Sequence, residues 1–131
     1  MLYVTCALII HQEKILICQR SEKMKLPLKW EFPGGKIEAG ESKKDCLIRE
    51  IKEELHLHIE VNEPLQMVEH HYTDFSLQLF PFVCSVIAGK LTPQEHAQAI
   101  WVSKQQLTNY DWAEADIPIV KEFLSGNIIK D

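Results

Sequence analysis

The segment Arg49-Glu50-Ile51-Lys52-Glu53-Glu54-Leu55 decides how the rest of the chain is read. Leu47, Ile48, Ile51 and Leu55 recur at helical spacing and form a face that can pack on a sheet. At 100° per residue, Glu54 lies about 40° to one side of Glu50 and Glu53 about 60° to the other. Three carboxylates therefore share one stripe beside the apolar face. Alone, the arrangement is unfavourable. Like charges at i,i+4 cost about 0.2–0.5 kcal/mol, and acidic groups in a last turn oppose the helix dipole by about 0.3–1 kcal/mol. Arg49 offsets part of this, but one cation does not balance three anions. A hard divalent cation does: Mg²⁺ takes oxygen ligands and bridges carboxylates to phosphates. For the three glutamates by themselves, a solvated acidic face is the other reading.

The residues upstream favour the metal. Gly34 and Gly35 precede the helix and let backbone groups approach a ligand closely. Glu41 stands at the loop–helix junction, where it can fix Arg49 by a charge-assisted hydrogen bond. Ser42 reads as an N-cap with Asp45 three residues on, a shortened variant of the capping box. The string Gly35, five residues, Glu41, seven residues, Arg49-Glu50-Ile51-Lys52-Glu53-Glu54, then Leu55-His56-Leu57, resembles the Nudix box, G-x5-E-x7-R-E-U-x-E-E-x-G-U with U aliphatic. It departs at one position, where His56 stands for Gly. That Gly is a helix C-cap at positive φ, a conformation His adopts less readily but can adopt.

The resemblance covers nearly the whole chain. "WEFPGGKIEAGES", Trp30 to Ser42, is similar to the segment that leads into the box in the MutT-like branch, whose members hydrolyse nucleoside triphosphates to monophosphate and pyrophosphate. "AEADIPIV", Ala113 to Val120, is similar to the base-reading segment of that branch, most of all in its CTP pyrophosphohydrolase members. The resemblance implies an α/β protein with the Nudix fold, an α/β/α sandwich with a mixed β-sheet, in which 1–131 forms a single domain. It implies Mg²⁺, with Mn²⁺ able to replace it, held by Glu50, Glu53, Glu54 and a carbonyl of Gly34 or Gly35. Glu95, in the loop "LTPQEHAQ", matches a further acidic ligand or base, and otherwise reads as an ordinary loop carboxylate. Glu41 and Arg49 are then orienting residues, and the general base is Glu53 or Glu95.

For the substrate, Arg20 and Lys36 are candidates for phosphate contact, against a reading as surface charges. Asp116 matches the position that reads the base edge. An ionised Asp accepts hydrogen bonds and suits an exocyclic amine such as that of cytosine; a protonated one also donates and admits an oxidised purine. Asp116 reads equally as a helix N-cap with Pro118 in the first turn. Phe32, Trp112 and Tyr110 offer stacking surface, Phe32 foremost, with core packing as the competing reading. The implied substrate is a nucleoside triphosphate, CTP- or dCTP-like or oxidised as in 8-oxo-dGTP, the latter linking the protein to DNA repair. Alternatives are a Nudix hydrolase of another nucleoside diphosphate derivative, such as ADP-ribose or a nucleotide sugar, and a non-catalytic nucleotide sensor.

Composition agrees with this and narrows it. A chain of 131 residues can bury a real core. A net charge of -5 argues against a nucleic-acid polymer as partner. The apolar runs are too short to span a bilayer, and the first residues, "MLYVTCALIIHQEK", lack the pattern of a signal peptide. Cys6, Cys18, Cys46 and Cys84 form no C-x-x-C pair and read as buried thiols of a cytoplasmic protein, monomer or homodimer. His70 and His71 are adjacent, so on a strand they face opposite ways and do not readily share a metal.

Strands are expected at Leu2 to Ile10 and Lys14 to Arg20, joined as a hairpin by "HQEK", and briefly around "WEF" before a Pro-Gly-Gly break. A helix is expected from Ser42 to His56. Further strands follow at Ile59 to Val61, Leu65 to Tyr72, Phe75 to Ala88 and Ala99 to Val102. "SKQQL" reads as a helical turn and Asp116 to Leu124 as a terminal helix. Pro81, inside a strong strand, suggests an edge or a bulge.

Overall fold

The computed structural model describes residues 1–126; 127–131, which the sequence reading assigns to the same domain, lie outside them. Eight strands run in chain order as β1 (Leu2–His11), β2 (Lys14–Gln19), β3 (Trp30–Glu31), β4 (Gly34–Lys36), β5 (Leu57–Pro64), β6 (Val68–His71), β7 (Ser76–Gly89) and β8 (Gln98–Val102). Helix α1 (Lys43–Leu55) falls between β4 and β5, and α2 (Ile117–Leu124) follows β8 after 3₁₀ turns at Lys104–Asn109 and Glu114–Asp116.

The strands form one mixed sheet of order β3-β2-β1-β7-β5, in which β4 pairs β1, β6 pairs β7 and β8 pairs β2. The β1–β7 pair is parallel, from Leu2 opposite Leu77 to Ile10 opposite Ser85. The β1–β2 hairpin turns through Gln12 and Glu13, both at positive φ, the conformation a two-residue turn needs to match strand twist. Beyond Ile10↔Ile15 and His11↔Lys14 these two strands part. β4 pairs the start of β1 instead, at Val4 to Cys6, and β3 and β8 pair β2. The cleft left by this parting holds the candidate site.

Alternation along the strands builds two cores. Cys6 and Leu8 of β1 and Ile15 and Ile17 of β2 face a cluster with Phe32, Ile119, Val120 and Phe123. Ala7, Ile9, Leu16 and Cys18 face the other way, onto Leu47, Ile51 and Leu55 of α1. The helices thus cover both faces of the sheet, the three-layer arrangement expected. Each Leu or Ile buried on α1 contributes about 1.5–3 kcal/mol relative to exposure. Ile48 departs from the expected apolar face: it is exposed, and Cys46 is the buried residue at that end.

Three local expectations need correction. Gly34-Gly35 is not a break but a strand, antiparallel to β1. β7 is internal, so Pro81 is not on an edge. The irregularity lies in its neighbours: β5 ends at Pro64↔Phe82, β6 resumes at Val68↔Leu79, and Leu65 N–H donates to the Pro81 carbonyl at 2.9 Å in the gap. There the missing Pro81 N–H leaves no ladder bond unmade. Asp116 does not cap α2 with its side chain, which turns to the Phe32 amide.

Candidate active site

Helix α1 starts where Ser42 Oγ accepts the Asp45 N–H at 3.1 Å. It ends at His56, whose φ of 60° and ψ of 29° are left-handed, with its N–H on the Lys52 carbonyl. His56 therefore takes the conformation usual for glycine there, and the helix end survives the substitution. Two carbonyls left over in the last turn find donors in the following loop. Leu55 O accepts Thr92 N–H at 2.8 Å and Glu54 O accepts Gln94 N–H at 2.9 Å. These bonds tie the loop carrying Glu95 to the end of α1.

Arg49 organises the exposed part of the acidic stripe. Its Nε and Nη2 donate to the two oxygens of Glu41 at 2.6 and 3.0 Å, and its Nη1 donates to Glu50 Oε2 at 2.9 Å and Glu53 Oε1 at 3.3 Å. The Arg49 hydrogen bonds, first among the causes, hold the Glu41 carboxyl at about 2, below the ordinary carboxylate value. The three glutamates differ in burial. Glu53 is largely exposed, Glu50 is mostly covered, and Glu54 points inward. Glu54 Oε1 is buried without a partner. Burial, a hydrogen bond to Glu50, and the charges of Glu50, Glu31 and Glu95 push the Glu54 carboxyl up to about 9. Two carboxylates this close disfavour ionising together.

This set suits a hard divalent ion. The donors are oxygens, one is a buried orphan, and Mg²⁺ is commonly held by one or two carboxylates. The Gly35 backbone lies against Glu50, since a Cβ there would fall 2.2 Å from the Glu50 carboxyl carbon. Among the described residues, no group of three or more His, Cys, Asp or Glu stands ready-made around a metal position. The reason is visible in the hydrogen bonds: Glu50 and Glu53 are turned to Arg49.

A cavity of about 380 Å³ runs from Glu54, Glu95 and the Gly34-Gly35 backbone to Asp116, with Arg20, Lys36 and Phe32 on its walls. Asp116 is 5% exposed and Oδ2 accepts the Phe32 N–H at 2.9 Å. Burial and the charge of Glu31 raise its carboxyl well above the ordinary range. Arg20 donates Nη1 to Glu31 Oε1 at 2.8 Å and Nε to the Lys25 carbonyl. Lys36 carries a backbone carbonyl that accepts from Arg49 at 3.4 Å.

Two of the expected stacking surfaces are core instead. Trp112 is buried, donates Nε1–H to Leu107 O at 2.7 Å and packs on Phe32; Tyr110 packs edge-on against Trp30. Phe32 does both, lining the cavity and joining the core. The aromatic wall that the sequence reading missed is Tyr72 with Phe75, stacked at 4.9 Å, with Lys25 Nζ 4.7 Å from the Phe75 ring. A strand-and-turn pattern gives no sign that "YTDF" folds over a site 40 residues distant. Glu31 and His96, also missed, meet at 2.9 Å beside the cavity.

Comparison with known proteins gives the family and agrees with the fold. A model of the NUDIX domain matches residues 5–122. The CTP pyrophosphohydrolase of Escherichia coli K12 is 32% identical over 125 residues, covering 95% of this chain and 93% of that protein. The 8-oxo-dGTP diphosphatase of the same organism is 27% identical over 107 residues, covering 82% and 83%. A solved MutT protein of the Nudix hydrolase family, from methicillin-resistant Staphylococcus aureus 252, is 41% identical with a TM-score of 0.77, covering 96% and 97%.

Proposed function

The chain belongs to the NUDIX family, and from that premise we propose that it is a divalent-metal-dependent pyrophosphohydrolase that converts a nucleoside triphosphate to its monophosphate and pyrophosphate. One observation carries the reading: a single cavity has carboxylates and glycine backbone at one end and a buried, hydrogen-bonded Asp116 at the other. A ligand spanning it presents charge to the first and a base edge to the second. Similarity to a CTP pyrophosphohydrolase and an 8-oxo-dGTP diphosphatase supports the same substrate class.

Glu50, Glu53, Glu54 and a carbonyl of Gly34 or Gly35 would hold Mg²⁺, or Mn²⁺ in its place. Once bound, the ion neutralises phosphate charge and makes water more acidic. Glu53 or Glu95 accepts the proton of the attacking water. Glu41 keeps Arg49 in place, and Arg49 orients the glutamates. Arg20 and Lys36 supply cationic groups to the ligand. Asp116 is the base-edge contact: ionised it accepts from a pyrimidine amine, and protonated, the form its burial favours, it also donates and admits an oxidised purine.

Pyrophosphate release from CTP, dCTP, 5-methyl-dCTP, dGTP, 8-oxo-dGTP and ADP-ribose, with Mg²⁺ and with EDTA, tests the reading. Mg²⁺-dependent turnover of a triphosphate is expected. Turnover of ADP-ribose in preference to every triphosphate, or of nothing, overturns it.

A further inference from the structure

Three neighbouring strands each bring one polar side chain to the same point. Glu31 lies on β3, Arg20 directly follows β2, and His96 comes two residues before β8. Glu31 Oε1 accepts from Arg20 Nη1 at 2.8 Å, and Oε2 accepts from His96 Nε2 at 2.9 Å. A carboxylate only accepts, so His96 carries its proton on Nε2. Both Glu31 oxygens are occupied, and the carboxylate is fixed from two sides.

The histidine is a costly choice at this position. Its side chain is 4% exposed, and Nδ1 is buried with no partner. An orphaned buried polar atom is destabilising, a cost that an apolar side chain of similar volume avoids. Packing therefore does not account for His96; the Nε2–H bond to Glu31 does. That bond matters because of where Glu31 stands. Its charge acts on Glu54 at one end of the cavity and on Asp116 at the other. Released, it is a free anion between the metal-side carboxylates and the base end. Held, it anchors Arg20. Arg20 spends two of its five N–H groups, on Glu31 and the Lys25 carbonyl, and keeps three for a ligand at the cavity wall.

We propose that His96 is a positioning residue of this site, which fixes Glu31 through Nε2–H and thereby holds the Arg20 guanidinium against the bound nucleotide. The proposal rests on the nucleotide reading above. It assigns His96 no contact with the reacting atoms.

Amide side chains separate the two ring nitrogens. Gln places its NH₂ where His has Nε2, and Asn places its NH₂ where His has Nδ1. The dissociation constant of CTP is measured in EDTA for wild type, His96→Gln, His96→Asn and His96→Ala, each first shown to melt cooperatively; if another nucleotide of the panel is turned over faster, it replaces CTP. Ala and Asn are expected to weaken binding about tenfold, with Gln close to wild type. With Mg²⁺ the same variants should raise KM more than they lower kcat. In an Arg20→Ala background, adding His96→Ala should cost less than about twofold, because the route is already cut. Equal behaviour of Gln and Asn, or full additivity with Arg20→Ala, overturns the proposal. Failure of the nucleotide reading looks different, because wild type then neither binds nor turns over any nucleotide. The ring ¹⁵N spectrum of His96 still decides in that case: an Nε2–H tautomer in wild type that is lost in Glu31→Leu, which has no acceptor, sustains the positioning bond, and an Nδ1–H tautomer in wild type, or an Nε2–H tautomer unchanged in Glu31→Leu, sinks it.

Discussion

The backbone of Gly35 and the carboxylate of Glu50 occupy adjoining space, so that a methyl group on Gly35 would overlap the Glu50 carboxyl by well over an ångström. At Gly34 the same methyl would meet not a side chain but the backbone oxygen of Thr5, at 1.9 Å. The two glycines therefore differ in what would have to move.

Gly35→Ala is expected to displace Glu50 and leave the fold intact. Activity should fall at least about a hundredfold, in line with misplacement of a catalytic group, with little change in Tm. Gly34→Ala forces β4 off β1, and overpacking of about 1–3 kcal/mol should lower Tm by roughly 5–15 °C. Thermal melts and pyrophosphate release on both variants check the contrast.

Glu41 and Glu54 should give stability slopes of opposite sign. The folded Glu41 carboxyl lies at about 2, below the ordinary 4.5, so its contribution is present above pH 4.5 and lost as pH falls towards 2. The Tm gap between wild type and Glu41→Gln should be constant at neutral pH and close across that acid window.

Glu54 behaves in reverse. Its folded carboxyl lies at about 9, so in metal-free protein the unfolded chain releases this proton first as pH rises from 4.5. Wild type loses stability across that range, and Glu54→Gln does not. In EDTA at pH 8 the variant should melt higher, by roughly 5 °C, while losing turnover in Mg²⁺. A variant that melts lower than wild type in EDTA contradicts this account of Glu54.

Asp116→Asn keeps an acceptor for the Phe32 N–H and adds a permanent donor. The fold should be unchanged and the ranking of bases in the panel altered. Asp116→Ala leaves the Phe32 amide buried and unpaired, at a cost of about 1–3 kcal/mol in urea unfolding.

Legibility in the sequence followed the range of the forces involved. Helix α1, its caps and the acidic stripe come from spacing within one segment, so residues 41–56 could be read in order, whereas the pairing of Gly34 and Gly35 with β1 could not. The hairpin of β1 and β2 was likewise legible from two apolar runs joined by a polar turn. Glu31, His96, Tyr72 and Phe75 reach the cavity through strand neighbours and a turn far along the chain, and nothing local marks them. Asp116 reads both as a helix cap and as a base-edge contact, because the sequence shows α2 beginning there but not that the Phe32 amide lies beside it. Tyr110 and Trp112 stand near the segment Ala113 to Val120 in sequence, and only packing shows that they turn inward.

The parallel pairing of β1 with β7 joins residues some 75 positions apart in the middle of the sheet. Synthesis delivers β1 first, so its pairing edge emerges well before the strand that will bond to it. No hairpin shortcut can close that contact, and loop closure must precede any gain from it. Refolding of this protein should accordingly be slow for its size.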